Sequence, residues 1–249
     1  MRVVSLVPSW TETLLECGVD VVGRTRFCIH PRDQVASIKT VGGTKQANWK
    51  KINDLNPDFL VLDKEENPKE FAEKADELGL QWMASHITDW HSLAATLDEW
   101  SQTFRNSDLK ALSNSLASQL VKGESKCEML PGIDWLGDSV ALEDVNRIHY
   151  VIWRDPWMGV SSDTFIGAVL SSYGVGEKLV KYESRYPEFD LVSVVEPNDL
   201  ILFSTEPYPF AEKVSELPEF GCATALVDGE IYSWFAIRAI RTYLNHSSS

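Results

Sequence analysis

The sequence lacks an apolar run long enough to cross a membrane. A spanning helix needs roughly 20 consecutive apolar residues, and no stretch of the 249 residues approaches that length. No secretory signal is predicted either, because the pattern of residues 3–7 predicts a buried strand directly after Met1. The sequence therefore predicts no membrane insertion. It predicts a cytoplasmic protein as the chain stands, or a periplasmic one if a signal has been removed.

Positive charge is the next shortage. The chain has 23 Lys and Arg against 37 Asp and Glu, which gives a formal net charge of -14. Nucleic acids and anionic membrane surfaces are polyanions and repel such a chain. This balance argues against a general nucleic-acid-binding protein. The hydrophobic fraction of 44% is that of an ordinary globular chain, and we expect a monomer with a normal packed core.

Cysteine and the common catalytic motifs are scarce as well. Cys17, Cys28, Cys127 and Cys222 show no CxxC spacing and no zinc-type pairing with histidine. There is no GxSxG nucleophile elbow, no P-loop, and no GxGxxG after the first strand. These absences argue against a structural zinc, a disulfide framework and the usual hydrolase and nucleotide sites. We therefore predict that the protein is not an enzyme and requires no cofactor.

What the sequence does have is a regular alternation of apolar strands and helical segments. Strands are predicted at residues 3–7, 19–22, 59–62 and from residue 82, and again at 150–153, 200–203 and 223–227. This alternation indicates βαβ units and mainly parallel sheets, so the predicted fold class is α/β. Residues 56–62 weakly resemble residues 197–203. Such an internal repeat favours two similar lobes.

Two features predict where the first and last helices lie. Ser9 and Glu12, three residues apart behind the first strand, form a capping box that predicts the start of the first helix. The last helix is expected over residues 234–244. In that helix Trp234 and Arg238 would lie one turn apart on the same face.

A long helical stretch separates the two halves. Leucine and aromatic residues recur at three- to four-residue steps from about residue 89 to residue 121. At about 1.5 Å per residue, a single helix of this length would span roughly 45–50 Å and could join two lobes. Two helices broken near Asn106 and Ser107 are the alternative. We expect an N-terminal lobe over residues 1–88, a connecting backbone helix over 89–122, and a C-terminal lobe over 123–249.

Aromatic side chains cluster where the predicted strands end. In open parallel sheets, ligands bind beyond the carboxyl ends of the strands, and a small-molecule cleft needs apolar walls with a few polar groups. We expect Trp234 to cover a flat ligand while Arg238 pairs with a carboxylate or phosphate on it. The aromatic residues in or beside these loops are Trp10, Phe27, Trp153, Trp157, Tyr208, Phe210 and Trp234.

The acidic segment 63–68 also follows a predicted strand. Its Glu65 and Glu66 could work as an acid–base pair. The favoured interpretation is a solvated loop, with Asn67 capping the next helix, or a loop that contacts ligand. This segment is therefore a candidate binding element rather than a predicted catalytic one.

The histidines carry a weaker signal. His30, His86 and His149 are far apart and lack partners at metal-site spacing, so each is expected to be a hydrogen-bonded structural residue. His86 follows a strand and could face a cleft. Because a metal chelate needs only one or two axial ligands, His30 or His86 stays open as such a ligand.

Seven segments in order carry a family resemblance. They are MRVVSLVPSWTETLLECG (1–18), VGRTRFCIHP (22–31), VGGTK (41–45), NPDFLVLDKEEN (56–67), IWRDPWMGVSSDTF (152–165), STEPYPF (204–210) and VDGEIYSWFAIR (227–238). They resemble the class III, helical-backbone periplasmic binding proteins, a superfamily that includes the cobalamin and metal-chelate receptors of bacterial ABC importers. The resemblance covers nearly the whole chain except roughly residues 106–147.

The resemblance implies two Rossmann-like lobes, with mainly parallel sheets, joined by one rigid helix. It also implies a ligand in the cleft between the lobes. The ligand class would be a corrinoid such as cobalamin, or another metal chelate such as heme or a ferric siderophore, and an ABC permease would be the partner. Carried over by position, the first wall would comprise Trp10, Phe27 and His30, with Lys45 and Glu66 near it, and the second Trp153, Trp157, Tyr208 and Trp234, with Arg238 at the rim.

Two alternatives stay open at this point. One is a cytosolic carrier or enzyme-accessory protein on the same fold, with Glu65, Glu66 and His86 carrying its chemistry. The other is a protein–protein module whose exposed tryptophans bind a partner. The residues alone do not name the ligand.

Overall fold

The computed structural model describes residues 1–122 and 128–246, and these form two compact units. Unit 1 comprises Met1–Ile87, His91–Ser118 and Phe235–Arg238, and unit 2 comprises the remaining described residues. No helix in the described ranges is long and apolar enough to cross a membrane. The expected division of the chain at residues 88 and 122 stays a prediction.

Unit 1 is built on a five-stranded sheet in which every strand is parallel to its neighbours. Successive residues of its central strands are buried, which requires that both faces of the sheet are covered. The spatial order is β3-β2-β1-β4-β5. The strands are β1 (Arg2–Ser5), β2 (Asp20–Arg24), β3 (Lys39–Thr40), β4 (Phe59–Asp63) and β5 (Trp82–Ser85).

The helices of unit 1 follow the strands in βαβ fashion. Apolar residues from the sheet and from the helices that follow β3 and β4 meet in one core, which includes Leu6, Ile52, Leu60 and Phe71. The helices up to residue 122 are α1 (Pro8–Glu16), α2 (Arg32–Val35), α3 (Trp49–Asp54), α4 (Glu70–Glu77), α5 (Trp90–Thr103) and α6 (Ser107–Lys122). The first residue of α5 and the last four of α6 belong to unit 2. The predicted parallel α/β architecture is confirmed here.

The predicted capping box at the start of α1 is wrong. The helix begins two residues earlier than the pattern implied, with Pro8 in the first turn and Val7 at the N-cap position. Ser9 is therefore already inside the helix. Its buried hydroxyl makes no hydrogen bond to any described residue, and Glu12 pairs with Arg238 instead of reaching back to the helix start.

The prediction of one continuous helix over residues 89–121 is also wrong, and the alternative break is confirmed. Arg105 adopts φ 51°, and the Asn106 side chain accepts hydrogen bonds from the backbone N–H groups of Asp108 and Leu109 at 3.0 and 2.9 Å. A left-handed residue followed by a capping asparagine ends one helix and starts the next. Ser113 Oγ donates to the Ala94 carbonyl at 3.0 Å, so α5 and α6 fold back on each other as a hairpin.

Unit 2 contains the second five-stranded sheet, in the order β6-β10-β9-β7-β8. The three central strands are parallel, whereas the two edge strands pair antiparallel. The strands are β6 (Ile133–Trp135), β7 (Arg147–Trp153), β8 (Met158–Gly159), β9 (Asp199–Ser204) and β10 (Ala223–Val227). The two short edge strands were not predicted, because two or three residues carry too little pattern to be recognised without their partners.

The last helix differs from its prediction. The helices after α6 are α7 (Phe165–Ser172), α8 (Leu191–Val194), α9 (Gly229–Ser233) and α10 (Ile237–His246). Trp234 therefore ends α9 instead of opening α10. Ala236 adopts φ 69°, a left-handed conformation that interrupts the helical path between α9 and α10. Because Trp234 lies outside α10, the expected helical spacing between Trp234 and Arg238 does not exist.

Candidate functional site

The carboxyl edge of the unit 1 sheet is the place where a ligand site is expected. The strand order reverses between β1 and β4, and in doubly wound sheets ligands bind at such a switch point. The acidic loop of residues 64–67 leaves β4 at this position, with the Thr25–His30 loop after β2 and the His86 position after β5 at the same edge. The site can therefore be built from the loops that follow β2, β3, β4 and β5.

The acidic loop is held rigidly from below. Asp63 Oδ1 accepts from the backbone N–H groups of Glu65 and Glu66 at 2.9 and 3.3 Å, and its Oδ2 accepts from Ser85 Oγ at 2.6 Å. Buried Asn67 accepts from the Asp63 N–H and donates to the carbonyls of Leu6 and Thr44. The expectation that Asn67 caps the next helix is therefore wrong. Its amide ties three loops together instead.

Glu66 is the unusual group of this loop. Its half-buried carboxyl makes no hydrogen bond with the described residues. Burial, and then the nearby Asp63 carboxylate, raise the pKa of Glu66 from 4.5 to about 8, against the opposing effect of Lys45. At neutral pH Glu66 is therefore mostly protonated, and it can donate a hydrogen bond as well as accept one.

Four of the predicted polar residues lie together around this loop. Lys45 Nζ donates to the Glu65 carbonyl at 3.1 Å, and His86 Nε2 lies 3.6 Å from Glu65 Oε1. The side chains of His86 and Glu65 are 43% and 30% exposed, so both reach solvent. Lys45, Glu65, Glu66 and His86 form a mixed polar cluster at one edge of the sheet.

The loop after β2 adds an aromatic surface to this edge. Phe27 is 47% exposed, and the Arg26 guanidinium lies 4.8 Å from its ring centre. Beneath it, Cys28 is buried against the hydroxyls of Thr11 and Thr25. The loop that contains Lys45 lies close to this aromatic ring, since a Cβ on Gly43 would be only 3.2 Å from the Phe27 ring. The half-buried His30 follows in the same loop.

Trp10 does not lie at this surface. Its side chain is fully buried, with ring centres of Trp100 and Phe235 at 4.2 and 5.5 Å and an indole N–H that donates to Ser85 at 2.7 Å. The prediction that Trp10 lines a ligand wall is therefore wrong. The ring belongs to the core of unit 1.

Arg238 is also committed elsewhere. Its guanidinium donates to both carboxylate oxygens of Glu12, at 2.7 and 3.0 Å, and Glu12 is 8% exposed. This bidentate geometry satisfies the buried carboxylate. The structure therefore places Arg238 in an internal ion pair rather than at the rim of a ligand site.

In unit 2 the carboxyl edge of the sheet is aromatic. Trp153, at the end of β7, is 40% exposed and meets the edge of Tyr208, from the loop after β9, at a ring distance of 5.4 Å. Trp157 stacks on Phe210 at 6.3 Å and packs partly into the core. Trp153 and Tyr208 therefore reach the surface, while Trp157 and Phe210 support them from below.

Trp234 does not join that surface. It is 9% exposed, and its indole N–H donates to Glu206 Oε2 at 3.1 Å. The prediction that Trp234 covers a ligand conflicts with this burial. Its contact fixes the loop after β9 from the inner side.

Arg154 is the site residue that sequence reasoning missed. It stands between Trp153 and the β8 strand, and its guanidinium lies 5.4 Å from the Trp157 ring centre. One of its buried nitrogens, Nη1, makes no hydrogen bond to any described residue. No sequence pattern indicates that a hydrogen-bond donor will be buried without an acceptor in the folded protein.

The structure offers no protein-only metal site within residues 1–122 and 128–246, where no group of three or more His, Cys, Asp or Glu could hold an ion. His149 is a structural histidine as predicted, since its ring nitrogens contact Tyr182 and Asp199 at 3.1 Å each. Burial lowers the pKa of His149 against the opposing influence of Asp199.

One depression lies elsewhere. It has a volume of about 300 Å³ and is lined by Asp138, Pro197 and Cys222 among others, where β9 and β10 begin. This is the amino edge of the unit 2 sheet, opposite to the aromatic loops. It contains none of the predicted site residues.

Two α/β units of five strands each, one sheet fully parallel and one mostly parallel, define the fold of class III periplasmic binding proteins, as the resemblance implied. The vitamin B12 binding protein BtuF of Vibrio cholerae has this fold, with a TM-score of 0.70 and 17% identity over 100% of this chain and 98% of its own. No protein-family model and no curated protein matches the sequence.

Heme-binding proteins share the fold equally well. The periplasmic heme-binding protein RhuT from Roseiflexus sp. RS-1 matches with a TM-score of 0.74 and 11% identity, over 99% of this chain and 96% of its own. IsdE of S. aureus, complexed with heme, matches with a TM-score of 0.71 and 11% identity over the same shares. At these identities the likeness establishes the fold and does not identify a ligand.

Proposed function

We propose that this chain is a solute-binding protein for a metal chelate, a corrinoid or a heme-like or siderophore-bound metal, that serves ABC-type import. The observation that carries the proposal is the surface of Trp153 and Tyr208. Two large aromatic rings, one of them 40% exposed, stand at the carboxyl edge of a parallel sheet. Exposed indole at such a position favours a flat or bulky apolar ligand.

The polar cluster of unit 1 supports the same proposal. Lys45, Glu66 and His86 supply a cation, a protonated acid and an imidazole at the carboxyl edge of their own sheet. Corrinoids, hemes and siderophores carry amide, carboxylate or hydroxamate groups. These side chains can hydrogen-bond such groups, and His86 is exposed enough to reach an axial position on a metal.

The similar structures add support of a different kind. The three similar structures reported above are named for vitamin B12 or heme, and each matches this chain over nearly its whole length. We extend that ligand class, and the importer as a partner, to this chain as part of the proposal. The aromatic and polar edges described above are what the extension rests on.

A fluorescence titration tests the proposal directly. Purified protein is titrated with hemin, cyanocobalamin and ferrichrome, and the emission of its nine tryptophans is recorded. Quenching that saturates at one or two equivalents of at least one chelate is expected, because exposed Trp153 would lie against the ligand. A metal-free control, protoporphyrin for hemin, separates binding of the ring from binding of the metal. Absence of saturable quenching with all three would overturn the proposal.

A further inference from the structure

The Arg154 side chain packs against an aromatic ring, but one of its hydrogen-bond donors has no acceptor among the described residues. Its side chain is 21% exposed, and its guanidinium lies 5.4 Å from the ring centre of Trp157. The buried Nη1 makes no hydrogen bond to the described part of the chain. Buried donors in folded proteins nearly always have a partner, so an exception calls for an explanation.

The two neighbouring carboxylates do not supply that partner. Asp155 Oδ2 lies 3.9 Å from Nε and Glu216 Oε2 lies 3.9 Å from Nη1, both beyond hydrogen-bond distance. Both oxygens of Glu216 accept from Lys213, at 3.0 and 3.2 Å. The Asp155 side chain is 88% exposed and surrounded by solvent.

The position of Arg154 matches the proposed ligand surface. It follows Trp153 at the carboxyl end of β7, in the turn that leads into β8. The contact with the Trp157 ring restricts where the guanidinium can move, which lowers the entropy lost when a further group binds. A planar, charged donor at such a point is suited to a planar, bidentate acceptor.

We propose that Arg154 is a specificity-determining residue that binds a carboxylate group on the chelate. This inference rests on the proposed function. A carboxylate matches the guanidinium fork in shape and charge, whereas an amide or hydroxamate offers only one neutral acceptor oxygen. The ligand is then a chelate with peripheral carboxylates, such as an iron porphyrin, in preference to amide-decorated corrinoids or ferrichrome.

Paired ligands and matched variants test this assignment. Dissociation constants are measured for hemin and for hemin dimethyl ester with wild-type protein, Arg154→Gln and Arg154→Lys. Arg185→Gln is the control for loss of one positive charge, since Arg185 lies in the same unit beside Asp163 at 3.7 Å. Circular dichroism and thermal unfolding confirm that each variant is folded.

The expected result is a selective loss. R154Q should weaken hemin binding roughly 10- to 100-fold, the range for a lost charge-assisted hydrogen bond. Its affinity for the dimethyl ester should stay within about twofold of wild type, because the ester has no carboxylate for Arg154 to bind. R154K should lie between, because an ammonium keeps the charge and loses the fork. R185Q should behave as wild type with both ligands.

Three results would overturn the inference. The first is unchanged hemin affinity in R154Q, and the second is an equal loss for hemin and its dimethyl ester. The third is a wild-type protein that binds only cyanocobalamin or ferrichrome, which carry no carboxylate; the proposed function would then stand. If wild type binds none of these chelates, the proposed function fails and the inference fails with it.

Discussion

Each of the two sheets has loops at the carboxyl ends of its parallel strands, but the two sets of loops carry different kinds of side chain. In unit 1 the edge carries Lys45, Glu66 and His86 over the buried anchor Asp63, with Phe27 as its exposed ring. In unit 2 the edge carries Trp153 and Tyr208. The Arg154 guanidinium lies over the Trp157 ring at the same edge. The topology fixes where the loops leave each sheet, and the loop sequences decide what they can bind.

This difference assigns different tasks to the two edges. The unit 2 edge offers apolar contact area and one fixed positive charge, so we expect it to supply most of the affinity and to select for a carboxylate. The unit 1 edge offers Glu66, whose pKa burial raises to about 8, so we expect this edge to make binding depend on pH. Substitutions at Trp153, Phe27 and Glu66 test this division, and a substitution at Arg238 tests whether that residue belongs to either edge.

The largest effect is expected at Arg238, the arginine that is already satisfied. Arg238→Met leaves the Glu12 carboxylate buried without its bidentate partner, and should lower the free energy of unfolding by about 3 kcal/mol, within the range for breaking a buried pair. Ligand affinity of the folded variant should stay at the wild-type value. Urea unfolding followed by circular dichroism measures the first quantity and hemin titration the second.

The double variant E12M/R238M is the control for R238M. Removing both charges replaces the pair by apolar contacts and should recover most of the lost stability. A large fall in ligand affinity in folded R238M would contradict the assignment and return Arg238 to the ligand site.

The next effect is expected at the aromatic edge. Trp153→Ala should weaken chelate binding about tenfold, because it removes a large exposed ring that stabilises an apolar ligand. Phe27→Ala in unit 1 should cost less. Calorimetric titration measures both affinities. Trp82→Ala is the matched control, since Trp82 is 37% exposed but stands at the opposite edge of its sheet. A larger loss for F27A than for W153A would reverse the division of tasks.

The smallest effect is expected at Glu66 and depends on pH. Between pH 4.5 and about 8 an unfolded glutamate releases its proton while native Glu66 keeps it. The native state then binds more protons, so stability falls as pH rises through this window. Glu66→Gln cannot ionise and should escape that fall. Because solvent screens a carboxyl that is only half-buried, we expect much less than the full linkage value. The melting temperature of E66Q relative to wild type should rise by about 3 °C between pH 5 and pH 8.5, equivalent to about 1 kcal/mol.

Glu65→Gln is the control for that measurement. Glu65 is the exposed neighbour in the same loop, so its replacement removes a carboxylate from the loop without removing the buried one. Scanning calorimetry at several pH values distinguishes the two variants. A constant difference between E66Q and wild type across the range would show that Glu66 ionises normally.

Much of the fold could be predicted because strands and their ends are local features. Apolar runs bounded by Pro, Asp and Gly located β4, β9 and β10 within one or two residues, and parallel order followed from the helices between them. The helix break at Asn106 was visible only as an alternative. Whether a capping asparagine wins over continued helical periodicity depends on its packing, and here its amide also donates to the Cys17 carbonyl at 2.7 Å.

The candidate site could be predicted only in part, for a physical reason. Strand ends identify which loops lie at the carboxyl edge of each sheet, so the cluster around Glu66 and the exposed Trp153 lie at the edges where the pattern placed them. Which side of a helix start faces the core is set by partners far along the chain. Trp10 is covered by Trp100 and Phe235, and Glu12 meets Arg238 across 226 positions. No local pattern carries that information.

Hydrogen–deuterium exchange with and without hemin tests the central claim most directly. If the protein binds a metal chelate with the loops at the carboxyl edges, hemin should slow exchange in residues 26–30, 64–67, 153–157 and 205–209. Exchange at the amino edges, including residues 137–140 and 221–224, should stay unchanged. Protection confined to the amino edges, or no protection by hemin, cyanocobalamin or ferrichrome at saturating concentration, would contradict the account.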